Sequence, residues 1–366
     1  MKTFSKISLQ SIAQSVFFSP ETNAKRLSLF PLRLAAFLYE ELGDLRRKAY
    51  EGGMLHARKL SIPVVSVGNL TVGGTGKTPT TLYLARLLQG WGKRVAVLSR
   101  GYKGKAPLKI NVVSDGKTVC LGPEGAGDEP FLLAEKLPGV PVLTGKDRGA
   151  LGEYAWRNFA SELVILDDGF QHVRLKRDLD ILVLDGGNPF GNGYVLPRGN
   201  LRESPKHLER ADLILINNAD SPDMDVNLVR RIRSYNSRAP VFSFFYVPTT
   251  LRRLQAREEC SLDCLRGCEV VALAGLASPG SFCAVLRGLG AKIVDTMFYP
   301  DHHRYHVGDI CTGESKALVV TTEKDAVKLR QFSLMKGEVL VLGIDVQIDK
   351  EIEFFDYLKN RLPSLF

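Results

Sequence analysis

The sequence has few cysteines, and they follow no framework typical of secreted domains. Six cysteines occur among 366 residues, too few for a disulfide scaffold, and reduced thiols indicate a cytoplasmic chain. Cys260, Cys264 and Cys268 recur every fourth residue, a spacing that would place them on one face of a helix. They either fill that face as small apolar side chains or hold a metal, and the absence of a standard zinc-ligand spacing favours the first interpretation.

Long apolar runs are also absent. No stretch reaches the roughly 18–20 apolar residues of a membrane-spanning helix. The first residues, MKTFSKISLQSIAQ, are too polar for the apolar core of a secretory signal, so we expect no secretory leader. The nearest candidate, Leu29–Tyr39, is short and contains Arg33. Its helical apolar spacing within a basic segment predicts a helix that either lies on an anionic membrane surface or packs on the domain with its charges in solvent.

Acidic residues are fewer than basic ones. The chain has 49 Lys and Arg against 40 Asp and Glu, which gives a formal net charge of +9. This surplus favours an anionic partner, whether nucleic acid, anionic lipid or a phosphorylated substrate, without selecting among them. No internal repeat or low-complexity tract occurs, and a hydrophobic content of 45% is typical of a globular protein.

Short apolar runs alternate with helical segments along most of the chain. Runs such as VVSVG, LVILDD and ILVLDGG are rich in Leu, Ile and Val and end in Asp or Gly. They predict an α/β fold with a parallel sheet covered on both faces and a ligand crevice at the strand ends. The pattern restarts after about residue 235. We therefore predict a P-loop domain over residues 1–235 with an N-terminal helix, a smaller α/β domain over 236–348 and a C-terminal helix over 349–366.

One glycine-rich segment, VGNLTVGGTGKTP, lies between a predicted strand and a predicted helix. This context predicts a P-loop, whose backbone N–H groups and lysine hold the phosphates of a nucleoside triphosphate. Thr71 stands where the usual first glycine lies, and Val72 replaces the additional lysine of the deviant loops of dimeric ATPases and GTPases. A flexible glycine turn is the alternative. The residues predicted to bind the nucleotide are Gly73, Gly74, Thr75, Gly76, Lys77 and Thr78.

Two adjacent carboxylates end a later predicted strand. Asp167 and Asp168 in LVILDDGFQH occupy the Walker B position, where an acidic residue holds Mg²⁺ together with the Thr78 hydroxyl. A turn or capping pair is the alternative, and the division of roles between the two carboxylates stays open. Glu203, in the segment LPRGNLRE, either supplements the metal site or makes a surface salt bridge.

Other candidate residues have plain structural interpretations as well. Asp128, in the segment GDEPFLLAEKL, suits a helix N-cap as well as a functional role. His302 and His306 in FYPDHHRYH are four residues apart, but no HExxH motif or nearby cysteine pair supports a zinc site. A histidine that works with a carboxylate as a base is more natural for phosphoryl transfer, and a structural histidine is the alternative.

Seven segments resemble, in the same order, the tetraacyldisaccharide 4'-kinase family of lipid A biosynthesis. They are GNLTVGGTGKTP, SRGYKGK, GDEP, LDDGFQH, LPRGNLRE, YPDHHRY and TTEKDAVKL, within about residues 64–330. The resemblance implies transfer of the γ-phosphate of MgATP to the 4'-hydroxyl of tetraacyldisaccharide 1-phosphate, which gives lipid IVA. It also implies two α/β/α domains joined by a two-stranded hinge, and a membrane-associated N-terminal helix at the cytoplasmic face of the inner membrane.

The resemblance further assigns roles to individual residues. It places the general base at Asp128 and its partner at His302, with Lys77 neutralising phosphate charge. The metal-site candidates are Thr78, Asp167, Asp168 and Glu203. The candidates for binding substrate are Arg100, Tyr102, Gln171, His172 and Arg202. Three positions depart from the family's usual residues, namely Lys103, Arg198 and Asn200.

A rival interpretation is a P-loop ATPase or GTPase switch that drives a partner or acts on nucleic acid. The positive charge permits it, but no recognition-helix, RNP or OB signature and no G-protein base-specificity motif is present. We therefore expect a monomeric kinase without a nucleic-acid partner, which binds an acylated disaccharide phosphate and an anionic membrane surface.

Overall fold

The structure is a computed structural model, and it describes residues 29–217, 225–256, 258–276, 279–301, 303–306, 309, 317–332 and 339–366. The strands along the first half of the chain are β1 (Val64–Gly68), β2 (Val95–Ser99), β3 (Asn111–Asp115), β4 (Pro141–Thr144), β5 (Leu163–Asp167), β6 (Leu179–Asp185) and β7 (Leu213–Asn217). The later strands are β8 (Val241–Arg253), β9 (Glu259–Cys260), β10 (Glu269–Ala274), β11 (Lys292–Phe298), β12 (Leu318–Thr322) and β13 (Val339–Ile348).

Helices cover both faces of these strands. The α-helices are α1 (Phe30–Glu51), α2 (Lys77–Gly90), α3 (Pro123–Ala126), α4 (Asp128–Lys136), α5 (Arg148–Phe159), α6 (Val226–Tyr235), α7 (Pro279–Gly288), α8 (Glu323–Leu329) and α9 (Glu351–Arg361). Short 3₁₀ turns occur at Pro205–Arg210, Leu262–Leu265 and Pro363–Leu365.

The described strands form one sheet in the order β11-β10-β12-β13-β8-β7-β6-β1-β5-β2-β4-β3, with β9 paired to β8. Strands β4, β2, β5, β1, β6, β7 and β8 are parallel neighbours, and so are β11, β10, β12 and β13. Every residue of β1, β2 and β5 is buried, as continuous apolar strands between two helical layers require. The predicted α/β fold with a largely parallel sheet is confirmed.

The two parallel groups meet where β8 and β13 pair antiparallel. These are the two longest strands, with 13 and 10 residues. We call β1–β7 with α1–α6 the P-loop half, and β10–β12 with α7 and α8 the distal half. The paired long strands lie where the family resemblance implies a hinge. The division at residue 235 stays a prediction, because one continuous sheet carries both halves.

Helix α9 returns to the P-loop half after β13. Phe354 and Leu358 are buried in the same core as Leu84 and Leu88 of α2. The Tyr83 hydroxyl of α2 donates a hydrogen bond of 2.7 Å to the Glu351 carboxylate. The chain therefore passes through the distal half and ends packed on the helix that follows the glycine loop.

The prediction that three cysteines share a helix face is wrong. Cys260 ends β9, Cys264 lies in a 3₁₀ turn and Cys268 precedes β10. The i, i+4 spacing places residues on one face only within a continuous helix, and here the chain changes structure twice between the first and third cysteine. No group of three or more His, Cys, Asp or Glu able to hold a metal occurs within the described residues.

Helix α1 has one narrow contact face. Ala36 and Asp44 are its buried residues. Large apolar side chains on the remaining surface are 51–66% exposed, and they are Phe30, Leu34, Phe37, Leu38, Leu42 and Leu45. Across the described part of the chain, no helix combines the length and apolar character that crossing a membrane requires.

Candidate active site

The glycine loop connects β1 to α2, as predicted from its sequence context. Gly76 precedes the first helical residue with φ +102°, and a Cβ atom there would lie 2.7 Å from the Tyr246 hydroxyl. Glycine is therefore required both by backbone conformation and by space. The free N–H groups of the first turn of α2, and its dipole, make this loop a binding site for anions.

The threonine that replaces the first loop glycine is anchored inside the protein. Thr71 is buried, and its carbonyl oxygen accepts a hydrogen bond of 2.8 Å from the Asn69 side chain. The next residue, Val72, donates its N–H to the Asn200 carbonyl at 2.7 Å. The start of the loop is thus tied to the segment LPRGNLRE, which explains how the loop keeps its shape without a glycine at position 71.

The two carboxylates after β5 have opposite electrostatic environments. Asp167 is buried, and burial together with the charges of Glu129 and Asp168 raises its pKa to about 7. Burial also acts to raise the pKa of Asp168, but Lys77 and Arg202 outweigh it and lower that pKa. The Lys77 ammonium is 3.7 Å from Asp168, and Arg202 donates to both carboxylate oxygens at 2.8 and 2.7 Å. Asp168 is therefore an ion-pair partner, whereas Asp167 lies in a surplus of negative charge.

Arg202 contacts two other predicted residues. Besides Asp168, it contacts the Gln171 side-chain oxygen at 3.4 Å. Gln171 in turn donates a hydrogen bond of 2.9 Å to the Asn69 carbonyl oxygen, next to the glycine loop. His172 follows, and burial and the positive charge of Arg148 lower its pKa to about 4. The structure thus brings a neutral imidazole, an amide and a guanidinium to the end of β5.

Glu203 is held by a separate network. Its carboxylate accepts a hydrogen bond of 2.7 Å from Arg210 and lies 2.8 Å from Nδ1 of His207. The other ring nitrogen of His207 lies 2.7 Å from the Asp44 carboxylate on α1. The described contacts link Glu203 to α1 and not to Asp167, so its role as a metal ligand stays a prediction.

Asp128 is the first residue of α4, and not its N-cap, which is Gly127. A Cβ atom on Gly127 would lie 2.6 Å from the Tyr102 carbonyl oxygen, so the SRGYKGK turn packs directly against the start of α4. Tyr102 therefore lies beside the start of α4, near the predicted base Asp128, and is 59% exposed. Lys328 of α8 lies 3.7 Å from the Asp128 carboxylate. The predicted partner, His302, lies outside the described residues.

A cavity of about 490 Å³ lies between the glycine loop and the distal half. Residues from Gly73 to Pro79 line one side, and Thr322, Glu323 and Lys324 line the other. Apolar side chains complete the lining, including Leu82, Leu132, Leu276, Phe282 and Leu342. An apolar cavity with an anion-binding loop at one edge suits a nucleotide, whose base and phosphates need these two environments.

Comparison with known proteins identifies the family. The sequence profile of the family described as tetraacyldisaccharide-1-P 4'-kinase matches residues 28–363. The chain belongs to this family. A tetraacyldisaccharide 4'-kinase of Anaeromyxobacter dehalogenans (strain 2CP-C) is 46% identical over 82% of this chain and 81% of its own. One from Syntrophus aciditrophicus (strain SB) is 40% identical over 90% of this chain and 92% of its own.

A solved structure of the tetraacyldisaccharide 4'-kinase family supports the fold. The crystal structure of LpxK from Aquifex aeolicus in complex with ATP is 36% identical, with a TM-score of 0.74, and covers 92% of this chain and 99% of its own. The predictions of a P-loop fold and of a kinase in this family are confirmed. The roles of individual residues stay predictions.

Several residues around this cavity were not predicted from the sequence. Asn217 ends β7 and donates to the Thr75 carbonyl at 3.3 Å and to the Tyr246 hydroxyl at 3.1 Å. Lys324 donates to Glu129 at 2.9 Å from the opposite half. A signal existed for both, since Asn217 is a polar residue at a strand end and Lys324 belongs to the TTEKDAVKL motif. Arg198, a departure from the family pattern, is 1% exposed with its guanidinium over the Tyr194 ring, which indicates a structural role.

Proposed function

We propose that this chain transfers the γ-phosphate of ATP to the 4'-hydroxyl of tetraacyldisaccharide 1-phosphate and so forms lipid IVA. The observation that carries the proposal is that one cavity lies between the Gly73–Thr78 loop and Glu129 of α4, the chain neighbour of Asp128. The new bond forms between the sugar oxygen and the γ-phosphorus, the bond to the bridging oxygen breaks, and ADP leaves.

The donor phosphates are held by the glycine loop. Backbone N–H groups from Gly73 to Thr78 bind the phosphate oxygens, and Lys77 neutralises negative charge as the γ-phosphoryl group moves. The Thr75 hydroxyl lines the cavity and is buried without a hydrogen-bond partner among the described residues, which leaves it available to a phosphate oxygen. The N-terminus of α2 favours phosphate binding at this loop, because its free N–H groups and its dipole attract negative charge.

The residues near the loop fit a magnesium ion. Oxygen ligands are what Mg²⁺ prefers, usually one or two carboxylates together with substrate phosphates and water. Asp167 fits because it is buried and lies near the carboxylates of Glu129 and Asp168, whose negative charge a cation would balance. Thr78, Asp167 and Asp168 would hold the ion, with Glu203 as the further predicted ligand. When bound with ATP, Mg²⁺ supplies charge neutralisation at the β- and γ-phosphates.

Asp128 is the proposed general base, with His302 as its partner. The carboxylate accepts the proton of the 4'-hydroxyl as the oxygen attacks, a contribution typically of ~10²–10⁴-fold. Lys328, at 3.7 Å, keeps positive charge beside this carboxylate. Arg100 and Tyr102 at the adjacent rim, and Gln171, His172 and Arg202 after β5, are the proposed contacts of the disaccharide headgroup.

The acceptor lipid explains the surface of α1. Its exposed apolar side chains, with Phe30 60% and Leu42 66% exposed, match the acyl region of a bilayer. The net charge of +9 favours an anionic lipid surface. We therefore place the enzyme as a peripheral monomer on the cytoplasmic face of the inner membrane.

A phosphotransfer assay tests the proposal. The full chain is incubated with γ-labelled ATP, Mg²⁺ and tetraacyldisaccharide 1-phosphate in detergent, and labelled lipid is separated from free phosphate. We expect label in the lipid, and none when the acceptor already carries a 4'-phosphate. Hydrolysis of ATP that needs no lipid and is stimulated by DNA or RNA would instead establish the rival NTPase function.

A further inference from the structure

The two halves of the molecule meet through charged side chains of α4 and α8. Lys324 lies 2.9 Å from Glu129, and Lys328 lies 3.7 Å from Asp128. Further along the same helices, Arg330 donates to both carboxylate oxygens of Glu135 at 2.8 and 2.9 Å. In these three pairs the acidic group belongs to the P-loop half and the basic group to the distal half, whereas Lys136 and Glu323 form an ion pair of the opposite polarity between the same helices.

Lys324 makes a second contact that distinguishes it from the other cations. Its ammonium also donates a hydrogen bond of 2.9 Å to the Asp301 carboxylate. Glu129 follows Asp128 in the chain, and Asp301 precedes His302. A single ammonium group therefore joins the chain neighbours of the proposed base and of its proposed partner, which belong to opposite halves.

Lys324 is largely buried and stays charged between its two carboxylate partners. Its side chain is 16% exposed and lies in the wall of the nucleotide cavity. Burial acts to lower the pKa of Lys324, but the charges of Glu129 and Asp301 outweigh it and raise that pKa well above its usual value. The ammonium stays charged, and its loss would leave two partly buried carboxylates facing each other across the gap without that cation.

We propose that Lys324 is a positioning residue that fixes the start of α4, which carries Asp128, relative to Asp301 in the loop after β11, and thereby holds Asp128 in place for catalysis. The inference rests on the proposed function, in which Asp128 is the general base. Lys324 acts through its neighbours Glu129 and Asp301 and transfers no proton itself.

The Arg330–Glu135 pair provides a matched control. It joins the same two helices at the same hydrogen-bond distance, and neither residue lines the cavity. If both contacts only hold the halves together, removing either one should change turnover by the same amount. If Lys324 aligns the catalytic groups, only its removal should lower turnover.

The first test compares Lys324→Met, Lys324→Arg and Arg330→Met in the full chain. We expect Lys324→Met to lower kcat by about 10²-fold, since small misplacement of catalytic groups has this effect. Lys324→Arg restores part of kcat, because it keeps the charge. Arg330→Met keeps the wild-type kcat. Equal kcat values for the two Met variants would overturn the proposal.

A double-mutant cycle tests whether Lys324 acts through the base. In an Asp128→Ala background, Lys324→Met should cause no further loss of kcat, because the group that it aligns is already absent. If Lys324→Met multiplies the loss by the same factor as in the wild type, Lys324 acts independently of Asp128 and the proposal is wrong.

Hydrogen exchange provides a readout that does not depend on activity. We expect Lys324→Met to accelerate exchange in the first turn of α4 and in residues 303–306, and Arg330→Met to leave both at wild-type rates. If the exchange difference holds but the wild type phosphorylates no disaccharide, the proposed function fails and the positioning role stands. If phosphotransfer holds but both variants exchange alike, the positioning role fails.

Discussion

The ammonium of Lys77 lies 3.7 Å from a carboxylate oxygen of Asp168, so the glycine-loop lysine and the end of β5 meet in one ion pair. Arg202 approaches the same carboxylate at 2.7 Å. The pKa of Asp168 is thereby lowered, whereas the pKa of its neighbour Asp167 is raised. The two adjacent carboxylates thus differ in environment, since Asp168 pairs with the loop lysine whereas Asp167 is buried beside other acidic groups.

Replacement of Lys77 by Met removes the loop cation and keeps a side chain of similar length. We expect kcat to fall by about 10²–10³-fold, because one preorganised charge on the transferring phosphate is lost. Rates with labelled ATP measure the change. Lys117→Met is the control, since Lys117 is exposed in the turn after β3. Equal rates for the two variants would show that the Lys77 ammonium does not contribute to phosphotransfer.

Replacement of Asp128 by Asn tests the base. The amide keeps the shape of the side chain but accepts no proton, so we expect kcat to fall by about 10²–10⁴-fold. The dissociation constant for ATP, measured by calorimetry, stays at the wild-type value. The control Glu124→Gln, at an exposed position of α3, keeps full activity. Turnover of Asp128→Asn near that of the wild type would show that another group accepts the proton.

Replacement of Asp167 by Asn changes how stability depends on pH. The folded pKa of about 7 exceeds the usual 3.8, so the unfolded chain releases this proton first and rising pH between these values favours unfolding. The Asn variant lacks this dependence. In ATP-free protein, we expect the free energy of unfolding of Asp167→Asn to exceed that of the wild type by an amount that grows from pH 4 to pH 7. This difference reaches about 2 to 4 kcal/mol and then levels off.

Urea unfolding at several pH values measures this advantage. The same variant is expected to lose phosphotransfer, which would make Asp167 a residue that lowers stability in favour of function. If the wild type and the variant show parallel stability curves between pH 4 and pH 8, Asp167 has an ordinary pKa and does not lie in a surplus of negative charge.

Much of the phosphate site could be predicted from the sequence, because its parts depend on local order. Parallel strands end at one edge of a sheet, and because β1 pairs directly with β5 the residues after these two strands lie close together. The contact between Lys77 and Asp168 follows from this rule. The need for glycine at position 76 could also be predicted, because a side chain would block the approach of the loop backbone to phosphate oxygens.

The contacts between the two halves could not be predicted in this way. Lys324 and Glu129 are 195 residues apart, and their contact depends on how β8 and β13 pair and how the halves pack. The link from Asp44 through His207 to Glu203 depends in the same way on where α1 packs. Periodicity predicts which face of an element is buried but not which element covers it.

His172 should stay neutral well below the usual pKa of histidine. Burial and the charge of Arg148 lower its pKa to about 4, so protonation favours the unfolded chain, and stability is lost as pH falls from about 6.5 towards 4. Imidazole NMR signals assigned to His172 and measured between pH 3 and pH 8 check this. A midpoint for His172 near the usual histidine value of about 6.5 would contradict the described burial.

The exposed face of α1 is expected to bind membranes. Phe37 and Leu38 are 57% and 52% exposed, and each apolar side chain that enters a bilayer contributes about 1.5–3 kcal/mol. The double variant Phe37→Ser, Leu38→Ser should therefore bind anionic phosphatidylglycerol vesicles at least about tenfold more weakly in a sedimentation assay. Its kcat on detergent-dispersed substrate stays unchanged, because these side chains lie outside the cavity. Ile352→Ser on α9, where the side chain is 76% exposed, is the matched control and keeps wild-type vesicle binding. If both variants bind vesicles as the wild type does, α1 is not the membrane-binding element.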